Sequence, residues 1–180
     1  MGDDRLAWFN ALPPAAAQQA LLECCSAARW AEQMAAARPY SSAADAIRQS
    51  SAIVAALTVA DLAGALASHP RIGEPPGQAG SDGAGSERGR RAAGWSAREQ
   101  SGVDAGDRAT ISALAEANLE YERRFGHIYL VCASSRTGME LLEVLRGRLR
   151  NEAMAEWQVV RTELQKINAL RLQRLMAGSP

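Results

Sequence analysis

The 180-residue chain has few of the residues that mark specialised protein classes. Its three cysteines (two of them adjacent, Cys24 and Cys25) form neither a paired disulfide framework nor a zinc motif with CxxC or Cys/His spacing. Twenty basic residues balance twenty acidic ones, so the basic excess typical of nucleic-acid-binding proteins is missing. The balance does not exclude a local basic patch. We therefore expect no metal site and no nucleic-acid partner.

Long apolar runs are also missing. The longest uncharged run near mid-chain, residues 49–60, is about half of the roughly 20 residues that a membrane-spanning helix requires. The first ten residues contain two acids and no apolar run, unlike a signal peptide. These features predict a soluble cytoplasmic protein with no membrane partner.

Alanine is what the chain has in abundance. It has 37 alanines, while aromatic residues make up 5% of the chain, and alanine is the strongest helix former. Ser42, Thr58 and Thr137 stand where helix N-caps are expected, and Gly126 where a helix ends. We predict an all-α, single-domain bundle of about eight helices over residues 1–180, with a tail at 177–180.

One long segment, residues 70–95, breaks this helical pattern. It holds seven glycines and three prolines, and a connection of this length is usually functional or disordered. We expect a mobile surface loop that is anchored at both ends. Ser96, followed by Glu99, has the spacing of a capping box, which predicts a helix beyond the loop. Residues 129–133 are apolar and β-prone, but no second strand candidate exists, so we expect an extended buried connector.

Several polar residues leave two interpretations open. Arg171 falls on the apolar face of the last predicted helix, where it could reach solvent or pair with a carboxylate, or could bind an anionic ligand. His69 borders the long loop, where site residues concentrate, although a lone histidine is more often structural. His127 follows the glycine that ends a helix and stays open as either a second acid–base candidate or a surface residue. Asn118 is interpreted as a tie between helices or to the connector. The arginines at positions 146, 148 and 150 fit a solvated helix face.

An ordered set of segments resembles the OHCU decarboxylase family, whose substrate is 2-oxo-4-hydroxy-4-carboxy-5-ureidoimidazoline (OHCU). The set spans nearly the whole chain, and although each segment alone is a weak signal, their order is specific. The segments are FNAL at 9–12, HPRIG at 69–73, SAREQSG at 96–102, NLEYERRFG at 118–126, YLVCA at 129–133 and KINALRL at 166–172.

The resemblance implies a cofactor-free all-α enzyme, usually dimeric, that forms (S)-allantoin and CO2 in urate degradation. It makes His69 the catalytic histidine and Glu99 a substrate-contacting residue, and our hypothesis is that the two residues share the proton transfer. The resemblance also implies substrate contacts along the pocket. The residues concerned are Pro70, Ser96, Gln100, Tyr129, Leu130, Val131, Cys132, Ala133 and Arg171. The competing hypothesis is a non-enzymatic helical protein-interaction module, for which His69 and Glu99 would have no special effect.

Overall fold

The computed structural model describes residues 2–66, 69–72, 108–134 and 136–177. These residues form eight α-helices and no strand, which confirms the predicted all-α class. The helices are α1 Gly2–Ala11, α2 Pro14–Cys24, α3 Ala28–Ala36, α4 Ala43–Ala56, α5 Val59–Leu66, α6 Arg108–Phe125, α7 Gly138–Arg148 and α8 Ala153–Ala177.

Helix ends lie where the capping residues indicate. The Ser42 hydroxyl accepts a hydrogen bond from the Asp45 N–H at 3.1 Å. Thr137 and Glu140 form a capping box, in which each side chain bonds the other residue's backbone N–H. Gly126 adopts φ 74° directly after α6, a conformation that glycine reaches without steric penalty. These short-range patterns are therefore confirmed.

The chain divides into two compact units. The first unit comprises residues 1–65 and 164–180, and the second unit comprises residues 66–163. Helix α8 contributes residues to both units. Ala177, which we placed in the C-terminal tail, is the last residue of that helix.

In the first unit, polar contacts fix the end of α1. The Arg38 guanidinium donates to the backbone oxygens of Phe9 at 2.9 Å and Leu12 at 2.7 Å. The Asn10 amide exchanges hydrogen bonds with the backbone of Tyr40, at 2.9 and 3.0 Å. Orphan carbonyls at a helix C-terminus need such donors. Contacts with residues 38–40 therefore help to fix the position of the FNAL segment, residues 9–12.

In the second unit, α6 and α7 pack around a hydrophobic cluster. The cluster includes one residue that follows α5 and three from the predicted connector, which lies outside any helix or strand in the described part of the chain. Its buried members are Ile72, Leu114, Ala117, Tyr121, Tyr129, Val131, Ala133, Leu141, Leu142 and Leu145.

No single described helix is long and apolar enough to cross a membrane. Only α4 and α5 taken together have the length and apolar composition of a membrane span, and the two helices are bent by 118° at the break between them. The glycine-rich middle of the predicted loop and the helix expected from Ser96 both lie outside the described residues.

Candidate active site

The predicted catalytic histidine lies in a short turn that follows α5. We call residues 69–72 the His69 turn. The backbone N–H of His69 donates to the Leu66 carbonyl at 2.9 Å, which links the turn to the end of that helix. His69 and Pro70 are half-buried. Ile72 is buried in the hydrophobic cluster of the second unit, so the turn is anchored at both of its ends.

Two side chains of α6 hold the far end of the His69 turn. The Glu122 carboxylate receives both arms of the Arg71 guanidinium, with Nε–Oε1 at 2.5 Å and Nη2–Oε2 at 2.9 Å. Asn118 is buried, and its Nδ2 donates to the Ile72 carbonyl at 3.0 Å. Asn118 therefore acts as a structural tie, as predicted, but it joins α6 to the His69 turn rather than to another helix or to the connector.

The connector, residues 129–133, is bonded at three points. The Tyr129 hydroxyl donates to the Leu141 carbonyl at 3.3 Å. The backbone N–H of Cys132 donates to Glu163 Oε2 at 2.8 Å, and Arg148 Nη1 donates to the Leu130 carbonyl at 2.7 Å. Cys132 is half-buried rather than buried as expected. The other four residues of the connector are buried.

Behind the connector lies a buried polar cluster that the sequence did not predict. We call Tyr121, Arg148, Asn151 and Glu156 the Arg148 cluster. Arg148 Nε donates to Glu156 Oε1 at 2.7 Å, and Asn151 Nδ2 donates to Glu156 Oε2 at 2.7 Å. The Tyr121 hydroxyl also donates to Glu156. The Arg148 guanidinium packs on the Tyr129 ring, with its carbon 4.8 Å from the ring centroid.

Arg148 therefore corrects the solvated-face interpretation of the α7 arginines. It is 6% exposed, whereas Arg146 and Arg150 are exposed as expected. The spacing contained a signal, since Leu141, Leu145 and Arg148 follow one another at intervals of four and three, which places them on one helical face. A charged residue on an apolar stripe indicates a buried partner, here Glu156.

Burial also shifts the pKa of the tyrosines in this region. It raises the pKa of Tyr129 to about 12, with the nearby Arg148 cation opposing the shift. It likewise raises the pKa of Tyr121. Both phenols, which are neutral around pH 7 even at the ordinary tyrosine pKa, therefore stay hydrogen-bond donors in more alkaline solution as well.

His127, for which a surface position was one of two alternatives, is half-buried in an aromatic environment. Its ring centroid is 4.2 Å from that of Trp157, 5.4 Å from Tyr121 and 6.0 Å from Phe125. Burial lowers the pKa of His127. Nδ1 lies 3.0 Å from the Ile128 carbonyl, while Nε2 is buried without a hydrogen-bond partner among the described residues. This environment favours the neutral ring.

In the first unit, Arg171 is 3% exposed and its Nη1 donates to the Cys24 carbonyl at 2.8 Å. Its predicted inward position is confirmed. Helical spacing places Ala153, Val160, Leu164 and Ile167 on the same face as Arg171. Val160, Leu164 and Ile167 are buried, whereas Ala153 is exposed.

The thiol of Cys25 lies in the same part of the first unit as Arg171. Burial raises its pKa, and the Asn168 amide and the Arg171 cation oppose that shift. Cys24 and Cys25 are buried, as the sequence suggested, and all three cysteines of the chain are free thiols.

The structure thus places one part of the predicted site on a common core. The His69 turn and the connector both join the hydrophobic cluster of the second unit. Arg171 belongs to the first unit, and Ser96, Glu99 and Gln100 lie outside the described residues. Where the chain is described, no group of three or more His, Cys, Asp or Glu side chains is placed to hold a metal ion.

Comparisons with known proteins agree on a single family. The family model described as OHCU decarboxylase matches residues 10–173. The chain is 32% identical over 155 residues to the uric acid degradation bifunctional protein TTL of Arabidopsis thaliana, covering 86% of this chain and 45% of that protein. It is 39% identical over 74 residues to the 2-oxo-4-hydroxy-4-carboxy-5-ureidoimidazoline decarboxylase of Amia calva, covering 41% of each. The chain thus spans less than half the length of these curated relatives.

Solved structures share the fold. A crystal structure of OHCU decarboxylase in the presence of (S)-allantoin matches with a TM-score of 0.70 and 27% identity, covering 88% of this chain and 97% of that one. A crystal structure of (S)-allantoin synthase matches with a TM-score of 0.64 and 17% identity, covering 95% of this chain and 54% of that one. At that identity, the second match concerns the fold alone.

Proposed function

The chain belongs to the OHCU decarboxylase family, and from that premise we propose that it converts OHCU to (S)-allantoin and CO2 without a cofactor. The observation that carries the proposal is the His69 turn. A histidine in a half-buried turn, fixed on the same core as the connector that the family resemblance assigns to the pocket, suits a group that must meet a bound substrate. Precise placement of such a group accounts for much of enzymatic rate enhancement.

The reaction breaks one carbon–carbon bond. The carboxylate leaves as CO2, and its bonding electron pair moves through the neighbouring ring C=N bond to the nitrogen, which takes up a proton. The hydroxyl proton is lost as the carbonyl of allantoin forms, and a second proton is delivered to one face of the ring carbon that bears the ureido group. We assign that transfer to His69 together with Glu99, because histidine titrates near neutral pH. Delivery to one face gives (S)-allantoin, whereas unassisted decay gives a racemate.

Binding groups complete the proposal. Arg171 would bind an anionic or carbonyl oxygen of the substrate, and its burial strengthens such an interaction. Gln100 would fix the ring, and Glu99 would also hold the ureido group. Since the N–H of Cys132 donates to Glu163, we assign the connector's ring-binding donors to Leu130 and Val131. The remaining contacts along the pocket are assigned to Pro70, Ser96, Tyr129, Cys132 and Ala133.

The test generates the unstable substrate in situ from urate. Its ultraviolet decay and the optical rotation of the product are followed with and without the protein. The proposal requires faster decay and optically active allantoin. A racemic product at the uncatalysed rate would instead favour the helical interaction module.

His69→Ala sharpens that test. We expect kcat to fall by about 100- to 10,000-fold, the usual contribution of a positioned acid–base group, with helical circular dichroism unchanged. His127→Phe is the matched control, because it removes the chain's other histidine and should leave the optical rotation of the product unchanged. A His69→Ala protein that makes (S)-allantoin at the parent rate would exclude His69 as the acid.

Arg171→Gln separates the two interpretations of the buried arginine. If Arg171 binds substrate, KM should rise by about tenfold or more, since hydrogen bonds to charged groups contribute about 1.5–3 kcal/mol. Unchanged kinetics would leave Arg171 with its structural role alone.

The remaining parts of the proposal are a homodimer and a cytoplasmic location. The three free thiols suit a reducing compartment. Light scattering on the purified protein measures the mass, and a monomer at micromolar concentration would exclude the dimer.

A further inference from the structure

We infer that Asn118 and Glu122 are positioning residues that set the place of His69, an inference that rests on the catalytic role proposed above. Both belong to α6 and neither touches the imidazole in the described contacts. They act on the chain at Arg71 and Ile72, two and three residues beyond the histidine. Two residues of chain span at most about 7 Å. A displacement of Arg71 or Ile72 should therefore displace His69 as well.

The geometry of the two anchors supports this role. Asn118 and Glu122 are four residues apart on one helix, so they lie on the same face. Glu122 receives Arg71 through two parallel bonds of 2.5 and 2.9 Å, a geometry that fixes orientation as well as distance. Asn118 holds the next carbonyl at 3.0 Å. Consecutive residues of the His69 turn are thus bonded to one rigid helix.

The burial of Asn118 supports a specific role for its amide. It is 2% exposed, and its Oδ1 is buried without a hydrogen-bond partner among the described residues. A buried acceptor without a partner is unfavourable. An apolar residue would avoid that penalty, but it would leave the Ile72 carbonyl without its donor. The amide is therefore suited to fixing the His69 turn more than to general packing.

The helix that carries these anchors is itself held firmly. Leu114, Ala117 and Tyr121 of α6 are buried in the hydrophobic cluster of the second unit, together with Ile72. At the other end of the turn, the His69 N–H is bonded to Leu66. The histidine thus lies between a helix end and a packed helix. The turn has no regular structure of its own, and these contacts contribute to holding its position.

The test uses the fact that the chain has two histidines. A carbon–proton NMR spectrum of the imidazole rings therefore contains two sets of signals, which the His127→Phe variant assigns. Glu122→Gln and Asn118→Leu should shift or broaden the His69 signals and leave those of His127 unchanged. Glu120→Gln is the matched control, since Glu120 is an exposed carboxylate on the same helix. Unchanged His69 signals in both variants would overturn the inference.

Kinetics give the functional part of the test. We expect Glu122→Gln to lower kcat by about tenfold to a hundredfold, because a displacement of about 1 Å can reduce a rate by that order. Helical circular dichroism should be retained, and Glu122→Asp should recover part of kcat. A variant that only loses stability should keep the wild-type ring signals of His69. Its kcat should not depend on whether position 122 holds aspartate or glutamine. Altered ring signals with an unchanged kcat would overturn the inference.

These experiments distinguish a failure of the proposed function from a failure of the positioning role. If the wild-type chain does not decarboxylate OHCU, the proposed function fails, and the NMR spectrum alone decides whether α6 sets the place of His69. If the wild-type chain is active and His69→Ala is not, unchanged kcat in both Glu122→Gln and Asn118→Leu refutes the positioning role.

Discussion

The His69 turn and the connector lie on the same hydrophobic cluster, and both lack regular structure, but they are fastened differently. The turn is held by Arg71 and Glu122, whose side chains are 40% and 22% exposed. The connector is backed by Arg148 and Glu156, whose side chains are 7% and 0% exposed. One ion pair is thus partly solvated, and the other is part of the core.

This difference separates local positioning from global stability. A partly exposed ion pair contributes little to the free energy of unfolding, because water and salt screen it. A buried pair that loses one partner leaves an uncompensated charge inside the protein, and the loss is large. Damage to the turn should therefore alter the reaction while the fold persists. Damage behind the connector should lower the free energy of unfolding of the whole protein.

The largest expected effect tests the connector. Glu156→Gln removes the anion that faces the Arg148 guanidinium, and we expect the free energy of unfolding to fall by about 3–5 kcal/mol. Urea denaturation followed by circular dichroism measures it. Glu152→Gln, an exposed carboxylate next to the start of α8, should stay within about 0.5 kcal/mol of wild type. A loss below about 1 kcal/mol for Glu156→Gln would remove the contrast between the two ion pairs.

A smaller loss is expected for Tyr121→Phe. The hydroxyl bonds Glu156 and also accepts from Arg148 Nη2 at 3.2 Å. Removing a hydrogen bond to charged groups lowers the free energy of unfolding by about 1.5–3 kcal/mol. The same denaturation experiment checks this value. The double variant Tyr121→Phe, Glu156→Gln should lose less free energy of unfolding than the sum of the two single variants, because the two residues share one cluster.

The matching substitution in the turn should hardly change stability. Glu122→Gln removes a partly exposed ion pair, so we expect the free energy of unfolding to fall by at most about 1 kcal/mol, although kcat falls. High salt should weaken this effect further. A loss as large as that of Glu156→Gln would mean that the turn, too, is part of the stability core.

His127 gives the smallest effect, one that depends on pH. Burial lowers its pKa below the ordinary value of 6.5, so the unfolded chain takes up the proton more readily than the folded protein. The stabilising contribution is present above about pH 6.5. It is lost as the pH falls through the folded pKa.

Denaturation curves at pH 7, 6 and 5 measure this slope. His127→Phe should show a flatter dependence over that range. Asp45, Asp61 and Glu140, whose pKa values are lowered mainly by hydrogen bonds, lose their contributions only in more acidic solution. Equal slopes for the wild type and His127→Phe would show that the aromatic environment does not disfavour the charged ring.

Short-range patterns predicted the fold well. Ser42, Thr137 and Gly126 act within one helical turn of themselves, so their roles can be read from neighbouring residues alone. The stripe that placed Arg171 inward depends on helical periodicity and was also predictable. That the connector lies outside any sheet in the described part of the chain followed from the absence of a second strand candidate.

The tertiary partners were not predictable in the same way. Arg148 and Glu156 are on different helices, and Glu122 meets Arg71 across 51 residues of chain. Which carboxylate faces a given arginine depends on how helices pack, and periodicity gives only the face. The aromatic surroundings of His127 were unpredictable for the same reason, since Trp157, whose ring lies against it, belongs to α8. The roles of Ser96, Glu99 and Gln100 stay predictions that rest on the family resemblance.

The three thiols differ in burial, so their labelling rates can report the opening of different parts of the chain. Cys132 lies half-buried on the connector, whereas Cys24 and Cys25 are buried. A thiol reagent should therefore modify Cys132 through small local openings, at a rate that reports how often the connector separates from its support. The other two sulfurs should react only when larger parts of the chain open. Labelling kinetics, read by mass spectrometry, would then time the loosening of the proposed pocket separately from unfolding.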